Sequence, residues 1–232
     1  MILHYALPIE ISDKEKIATL KKLVTLFQEW NTVMNLSSFN NTETIWKKHI
    51  FDSLLIGSYP ALINAKHIID IGTGGGFPGL PLAIIFPEKK FTLVDSTQKK
   101  ITAVIDIMQK LHLKNVETVC ERIETLARKN TFREQFDVVT ERALAKSSTM
   151  LEYTLPFLRI GGTLFAYQTP ATKKDLEEKK TILTTLGGSI KNILHENLPN
   201  SAGERAIFVI EKVKKTPQEF PRQTGIPKKY PL

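Results

Sequence analysis

The chain has 232 residues, of which 42% are hydrophobic and 24% are charged, and both values are typical of a globular protein with a full core. The single cysteine, Cys120, excludes an intrachain disulfide and a multi-cysteine metal site. Lysine and arginine outnumber aspartate and glutamate by 32 to 24, and the net charge of +8 favours a polyanionic partner such as RNA or DNA.

The sequence carries neither a membrane-segment pattern nor a metal-ligand pattern. Its longest apolar run, residues 80–86, is seven residues long and contains Pro81, whereas a membrane-spanning helix needs about 20 apolar residues. The N-terminus lacks the features of a secretion signal, and the five histidines are scattered. We therefore expect a cytoplasmic protein that binds neither a metal nor a membrane, and we infer no protein partner.

Residues 1–60 are predicted to form an N-terminal helical extension. Ser12 and Glu15 have capping-box spacing, which predicts the start of a helix. Apolar side chains then recur at intervals of three and four, which is typical of a helix with one buried face: Ile17, Leu20, Val24, Phe27, Trp30 and Met34. After a polar loop over residues 35–41, a second amphipathic helix is predicted over residues 45–54, with His49 and Asp52 on one face.

Residues 61–213 alternate between short β-rich runs and helical stretches. Strands are predicted at 68–71, 91–94, 116–120, 136–140, 162–167, 189–194 and 206–213. Helices are predicted at 80–86, 99–111, 123–128, 147–155 and 173–186. Alternation of this kind predicts an α/β, doubly wound and mostly parallel sheet. The last two strands have no room for a crossover helix between them, so they must pair antiparallel, an ending typical of Rossmann-like class I methyltransferases. Residues 214–232 form a basic, proline-containing tail, in which four prolines argue against a helix.

A glycine loop follows the first predicted strand directly. Gly72, Gly74 and Gly76 allow the backbone to turn sharply and a ligand to lie against it. Asp95 ends the next strand, 21 residues after Gly74, where its carboxylate can accept hydrogen bonds from both hydroxyls of a ribose. Each feature alone has a simpler explanation, a tight turn or a helix N-cap, but together they predict a nucleoside-binding site.

The identity of the nucleoside cofactor depends on the context of the loop. Gly74, Gly76 and Gly79 match the dinucleotide pattern G-x-G-x-x-G. Against a dinucleotide, the first of these glycines lies two residues beyond the strand, and Pro78 occupies the start of the helix that should bind pyrophosphate. S-adenosylmethionine carries no phosphate and needs no such helix, so we favour it.

The extended loop, residues 70–79 followed by 80–84, resembles the bacterial RsmG family, the small-subunit ribosomal RNA guanine-N7 methyltransferases also called glucose-inhibited division protein B. The Phe-Pro-Gly after the glycines is far more restrictive than the glycine pattern. Four further stretches extend the resemblance over nearly the whole chain: 49–54, 93–100, 136–143 and 220–229. The chain departs from the family pattern at Gly75, Phe220 and Glu141, and the last of these puts a negative charge beside Arg142.

The resemblance implies methyl transfer from S-adenosylmethionine to N7 of a guanine in the 530 loop of 16S ribosomal RNA, free or in the small ribosomal subunit. It implies cofactor contacts from Gly72, Gly74, Phe77, Asp95, Ile123, Glu124 and Arg142. Arg142 is also the residue expected to position the substrate, and no general base is expected. The charge pattern adds candidate RNA-binding residues: Lys99, Lys100, Arg122, Arg205, Arg222, Lys228 and Lys229.

Simpler roles stay open for several of these residues. Ile123 could be a core residue and Glu124 a solvated acid, while Arg142 could pair only with Glu141. His49 and Asp52 are interpreted as structural, and Cys120 as a small buried residue. For the whole chain, the alternatives are a small-molecule methyltransferase, an NAD-linked oxidoreductase and a non-catalytic RNA-binding assembly factor.

Overall fold

The computed structural model describes residues 7–232, so the first six residues of the predicted extension lie outside it. In this part of the chain the sheet has seven strands: β1 (His67–Ile71), β2 (Lys90–Asp95), β3 (Val116–Cys120), β4 (Phe136–Arg142), β5 (Leu158–Gln168), β6 (Gly188–Leu198) and β7 (Gly203–Lys212). Their order is β3-β2-β1-β4-β5-β7-β6. Strands β1 to β5 run parallel, whereas β7 is antiparallel to both β5 and β6. The predicted fold class is confirmed, including its antiparallel ending.

Helices cover both faces of the sheet and bury two apolar clusters. The crossover helices are α5 (Gly79–Ile85), α6 (Gln98–Lys110), α7 (Ile123–Leu126), α8 (Ser147–Thr154), α9 (Thr172–Glu178) and α10 (Lys180–Thr185). One cluster joins Ile68 and Leu93 to α5 and α6, and the other joins Ile69 and Val139 to α7 and α8. The single helix predicted over residues 173–186 is interrupted at Lys179.

The helices of the N-terminal segment pack on the face of the sheet that α5 and α6 cover. Helix α1 (Lys14–Met34) begins after Asp13, whose carboxylate accepts a hydrogen bond from the Glu15 amide at 2.8 Å. The prediction of Ser12 as the capping residue was therefore wrong by one position, because the adjacent carboxylate satisfies the first amides. The second predicted helix is confirmed but irregular: α2 (Thr42–Ile45) continues as a π-helix (Trp46–Phe51) and then α3 (Asp52–Leu54). A short helix, α4 (Pro60–Ile63), follows.

The C-terminal residues pack against the domain. Pro221 and Pro227 are buried, and a one-turn helix, α11 (Ile226–Lys229), forms despite the prolines. The prediction that prolines would prevent a helix was wrong here, since Pro227 lies in the first turn, where a missing amide hydrogen costs nothing. Cys120 also differs from its prediction: it is exposed, because it ends the edge strand β3. Between residues 7 and 232 no helix has the length and apolar character required to span a bilayer.

Candidate cofactor and active site

The glycine loop connects β1 to α5 at the carboxyl edge of the sheet. Gly72, Gly74 and Gly76 have φ values of +72°, +57° and +94°, which other residues rarely adopt. A Cβ at Gly74 would have only the Gly72 carbonyl oxygen within 4 Å, at 3.9 Å, so this face of the loop is open. A Cβ at Gly72 would instead collide with Leu144 at 2.5 Å. The loop thus offers one open backbone face, at Gly74, as the sequence predicts for a bound nucleoside.

Buried Asp70 holds the loop in this conformation. Its Oδ2 accepts hydrogen bonds from the Thr73 hydroxyl at 2.6 Å and the Gly79 amide at 3.1 Å. Its Oδ1 accepts one from the Thr140 hydroxyl at 2.9 Å, which ties the loop to β4. Complete burial raises the pKa of Asp70 above its ordinary value, and the three donors oppose this shift.

The start of α5 has no amide available for a phosphate. The Gly79 amide donates to Asp70, the Leu80 amide donates to the Gly76 carbonyl at 2.7 Å, and Pro81 has no N–H. Pyrophosphate binding at a helix N-terminus requires free amides pointing at the ligand. The start of α5 therefore disfavours the dinucleotide interpretation of the glycine pattern, and a phosphate-free nucleoside fits.

Asp95 lies at the carboxyl end of β2, next to the loop. Its Oδ2 accepts a hydrogen bond from the Gly74 amide at 3.2 Å, and its Oδ1 accepts one from the Thr97 amide at 2.8 Å. Thr97 is the N-cap of α6, so the simpler interpretation of Asp95 as that cap is wrong. Lys100 lies 3.7 Å from the same carboxylate. Asp95 thus stands where a ribose beside Gly74 would meet it.

A cavity of about 510 Å³, here called the tail-side cavity, lies beyond Asp95 between α7, α8 and the C-terminal residues. Ile123 and Glu124 line it, as does Tyr153. Glu124 is 5% exposed and accepts hydrogen bonds from the Tyr153 hydroxyl at 3.1 Å and the Gly225 amide at 2.9 Å. The solvated-acid interpretation of Glu124 is wrong, while Ile123 serves both the core and the cavity.

A second cavity of about 420 Å³, the glycine-loop cavity, lies between the loop and the N-terminal helices. The His49 ring stacks on Phe77, with centroids 4.7 Å apart and planes inclined by 14°. Its Nδ1 lies 2.9 Å from Nη2 of Arg142, and its Nε2 lies 3.0 Å from the Ser37 hydroxyl. Burial, helped by the Arg142 charge, lowers the pKa of His49 to about 3, so the ring is neutral and its Nδ1 accepts from Arg142.

The partner of Arg142 is Asp52, not Glu141. Asp52 is completely buried and lies 3.1 Å from Nη1 of Arg142 and 2.7 Å from Nε of Arg205. Glu141 instead accepts hydrogen bonds from the side-chain Nε2 of Gln168 at 2.7 Å and from the backbone amide of Leu144 at 3.3 Å. Burial raises the pKa of Glu141 to about 7. The alternative that Arg142 merely pairs with Glu141 is therefore wrong.

His49 and Asp52 were predicted to be structural, and the structure shows what they hold. His49 in the π-helix and Asp52 at the start of α3 both lie against Arg142, with His49 also against Phe77. Their spacing on one helix face was the only sequence signal for this. Sequence reasoning did not identify Lys146 or Tyr153, which line the tail-side cavity. Neither belongs to a motif, and both reach the cavity only through tertiary packing.

The predicted RNA-binding cations fall into two groups. Lys99, Arg122, Lys228 and Lys229 are exposed, and Lys100 is partly exposed beside Asp95. Arg205 and Arg222, however, direct their guanidinium groups at the buried carboxylates of Asp52 and Glu152. We therefore leave these two arginines out of the RNA-contacting set, because each guanidinium group is held by a buried carboxylate inside the protein.

Comparison with known proteins gives a family that agrees with this geometry. Residues 16–203 match the family described as rRNA small subunit methyltransferase G. Among curated relatives, the chain is 39% identical over 221 residues to Ribosomal RNA small subunit methyltransferase G of Leuconostoc citreum, covering 94% of this chain and 92% of the relative. It is 38% identical over 218 residues to the protein of that name in a Geobacillus species, again covering 94% of this chain and 92% of the relative.

Solved structures agree on the fold. M. jannaschii TYW2, in complex with AdoMet, superposes with a TM-score of 0.51 at 13% identity, over 69% of this chain and 77% of that one. At that identity the likeness concerns the fold alone, a Rossmann-like methyltransferase sheet. The family match and the relatives go further, because they span most of the sequence. The chain belongs to the rRNA small subunit methyltransferase G family.

Proposed function

We propose that this protein transfers a methyl group from S-adenosylmethionine to N7 of a guanine in the 530 loop of 16S ribosomal RNA. The observation that carries the proposal is the combination of an open glycine face at Gly74, a strand-end carboxylate at Asp95 and helix amides with no capacity left for phosphate. Family membership supplies the substrate class, ribosomal RNA of the small subunit. A reaction on ribosomal RNA also supports the expected cytoplasmic location.

The described residues fit the cofactor at three points. Gly72 and Gly74 would lie against it, Asp95 would accept hydrogen bonds from its ribose, and Ile123 with Glu124 would flank the adenine in the tail-side cavity. When bound, S-adenosylmethionine supplies an electrophilic methyl group on a sulfonium sulfur. The protein then has to hold a guanine with its N7 facing this methyl group.

The reaction needs no general base, because guanine N7 carries an unshared in-plane lone pair. The site agrees, since both ring nitrogens of His49 already have partners and the pKa of this residue is about 3. Catalysis then depends on positioning, which can contribute about 7–11 kcal/mol when reactants are well oriented. We assign this role to Arg142, which lies 5.6 Å above the Phe77 ring and is held by Asp52 and His49.

The RNA contacts that we propose come from exposed cations at the same edge of the sheet. Lys99 and Lys100 lie at the start of α6, Arg122 precedes α7, and Lys228 with Lys229 belong to α11. Together they put positive charge around the opening through which a nucleotide reaches the site. If the guanine is stacked in the RNA, it has to be extruded to reach the cofactor.

The test is labelled-methyl transfer to three substrates: 30S subunits from a strain that lacks this modification, naked 16S RNA and tRNA. We expect transfer to 16S RNA in one of its two forms and none to tRNA. Borohydride reduction followed by aniline cleavage, which detects 7-methylguanine, should mark one guanine in the 530 loop. Binding of S-adenosylhomocysteine without transfer to any RNA would contradict the proposal and favour a small-molecule substrate. RNA binding without cofactor binding would favour a non-catalytic assembly factor.

A further inference from the structure

The C-terminal strap, residues 213–232, is tied to the domain along its whole course. Lys212 ends β7 at the amino edge of the parallel strands, far from the cofactor site. Arg133 donates to the carbonyls of Thr216 at 2.9 Å and Phe220 at 2.9 Å, and Arg128 donates to that of Pro221 at 2.6 Å. These bonds lead the strap across the face formed by α7 and α8 toward the opposite edge.

The strongest attachment is between Arg222 and Glu152. Glu152 is completely buried in α8, and the Arg222 guanidinium binds it through Nε at 3.0 Å and Nη2 at 2.8 Å, while the Arg222 amide adds a bond at 2.7 Å. Nη2 also donates to the Tyr230 carbonyl at 2.9 Å, which fixes the far end of the strap. Two-pronged bonds to a charged carboxylate are among the strongest that side chains make. Arg222 therefore acts as an internal fastener.

The strap then reaches the tail-side cavity itself. The Gly225 amide donates to Glu124 at 2.9 Å, and the Thr149 hydroxyl donates to the buried Pro227 carbonyl at 2.8 Å. Lys228, Lys229 and Pro231 line the cavity together with Ile123. One segment thus holds the Glu124 carboxylate in place and closes the cavity in which Glu124 lies.

From this arrangement we propose that the C-terminal strap is a wall of the cofactor site and that Arg222 is the positioning residue that keeps it there. This inference rests on the proposed function, because it assigns the tail-side cavity to the adenosine end of the cofactor. Pockets for small ligands bury most of the ligand surface, and here the strap supplies one of the enclosing sides. Linkage then requires reciprocity: the ordered strap tightens cofactor binding, and the bound cofactor stabilises the strap.

The first experiment removes the wall. A chain that ends at Gln223 keeps the Arg222–Glu152 pair but loses the Gly225 amide and the cavity-lining residues. We expect its affinity for S-adenosylhomocysteine, measured by calorimetry, to fall at least tenfold relative to the intact chain. The intact chain with Lys214→Gln and Lys215→Gln removes the same charge from exposed strap positions that do not line the cavity, and its affinity should stay within about threefold.

The second experiment releases the fastener without touching the cavity. Arg222→Gln leaves the buried Glu152 without a partner cation, so the double variant Arg222→Gln/Glu152→Gln is included to remove that penalty on folding. The double variant should unfold at nearly the wild-type temperature and still bind S-adenosylhomocysteine at least fivefold more weakly. Arg159→Gln, which breaks an ion pair with Asp137 at the opposite edge of the sheet, should bind it like the wild type.

Hydrogen exchange supplies a readout that a purely structural fastener would not change. Amides of residues 221–232 should exchange more slowly when S-adenosylhomocysteine is bound to the intact chain, and this protection should disappear in the double variant. The proposal that the strap is a wall of the cofactor site would be overturned by either of two results. One is wild-type affinity for S-adenosylhomocysteine in the shortened chain, and the other is hydrogen exchange in the strap that does not change when this ligand binds. If the intact chain does not bind S-adenosylhomocysteine, the proposed function fails together with this inference. If the intact chain binds it and the shortened chain and the double variant bind it equally well, this inference fails alone.

Discussion

The two cavities at the carboxyl edge of the sheet handle charge in opposite ways. In the glycine-loop cavity, Arg142 and Arg205 share the buried carboxylate of Asp52, so the cations are held in place by an internal partner. In the tail-side cavity, Arg122, Lys146, Lys228 and Lys229 lie at the surface, and none has an ion pair among residues 7–232. The first cavity is built to keep one geometry, whereas the second presents unpaired positive charge to solvent.

This difference separates positioning from attraction. A buried ion pair contributes little net stability, but it fixes the direction of its guanidinium groups. Exposed lysines fix no geometry, but they attract phosphates, and this attraction weakens as salt rises. We therefore expect changes in the glycine-loop cavity to affect turnover, and changes to the exposed cations to affect RNA affinity and its salt dependence.

The largest effect is expected at the open face of the glycine loop, which lines the glycine-loop cavity. Gly74→Val should abolish S-adenosylhomocysteine binding in calorimetry, because the valine side chain enters the open face and φ at this position is +57°. RNA binding should be largely retained. Gly161→Val is the matched control, since Gly161 also has a positive φ, +81°, but lies away from the site. Cofactor binding by the Gly74→Val chain would remove the loop from the proposed site.

The next effect concerns the internally paired arginine. Arg142→Ala should lower the rate of methyl transfer more than tenfold, because it removes the cation that Asp52 and His49 hold over Phe77. The readout is single-turnover transfer at saturating RNA and cofactor. Arg159→Ala removes a surface arginine and should turn over normally. Near-wild-type turnover in Arg142→Ala would refute the role that we give this residue.

A smaller effect is expected from the exposed cations. Lys228→Ala/Lys229→Ala should weaken RNA binding severalfold and reduce the slope of log affinity against log salt by about one to two units. The comparison is Lys66→Ala/Lys90→Ala, which removes the same charge from exposed positions at the opposite edge of the sheet. Fluorescence titration with a 16S fragment at several salt concentrations measures both slopes. Equal slopes in the two double variants would mean that the tail-side cations do not contact phosphates.

The last effect is on stability alone and concerns Glu141, whose carboxylate accepts a hydrogen bond from the Leu144 amide between the two cavities. Burial raises its pKa from 4.5 to about 7, so its contribution to stability is complete below pH 4.5 and is lost as pH rises to about 7. The glutamine of Glu141→Gln cannot ionise. The free energy of unfolding of this variant, relative to that of the wild type, should therefore increase as pH rises from 4.5 to 7, by at most about 3 kcal/mol.

Urea unfolding at pH 5, 6, 7 and 8 measures this gain. His49 loses stability in the opposite direction, as pH falls below 6.5, but it contributes equally to both chains and cancels in the difference. Glu178→Gln, at an exposed position, should give a difference that does not vary with pH. A constant difference for Glu141→Gln would show that Glu141 ionises normally in the folded protein.

Local sequence patterns predicted most of the fold and the position of the cofactor loop. Period-two runs, glycines and short connections depend on neighbours in the chain, so the parallel strands and the antiparallel ending followed from them. Gly72, Gly74 and Asp95 could be placed because each stands at the end of a strand or within three residues of it, where position along the chain determines position in space. The same reasoning failed for Cys120, since an edge strand buries less than its composition suggests.

Only the tertiary structure decided which charges are free. Arg205 lies 153 residues from Asp52 and Arg222 lies 70 residues from Glu152, so no local pattern could show that these cations have buried partners inside the protein. The same holds for the strap: its prolines and basic residues did not show that its backbone binds α7 and α8. Sequence alone determined the sheet and its cofactor loop, because local backbone preferences produce them. Burial and partner choice came from the folded chain, because they depend on contacts between distant segments.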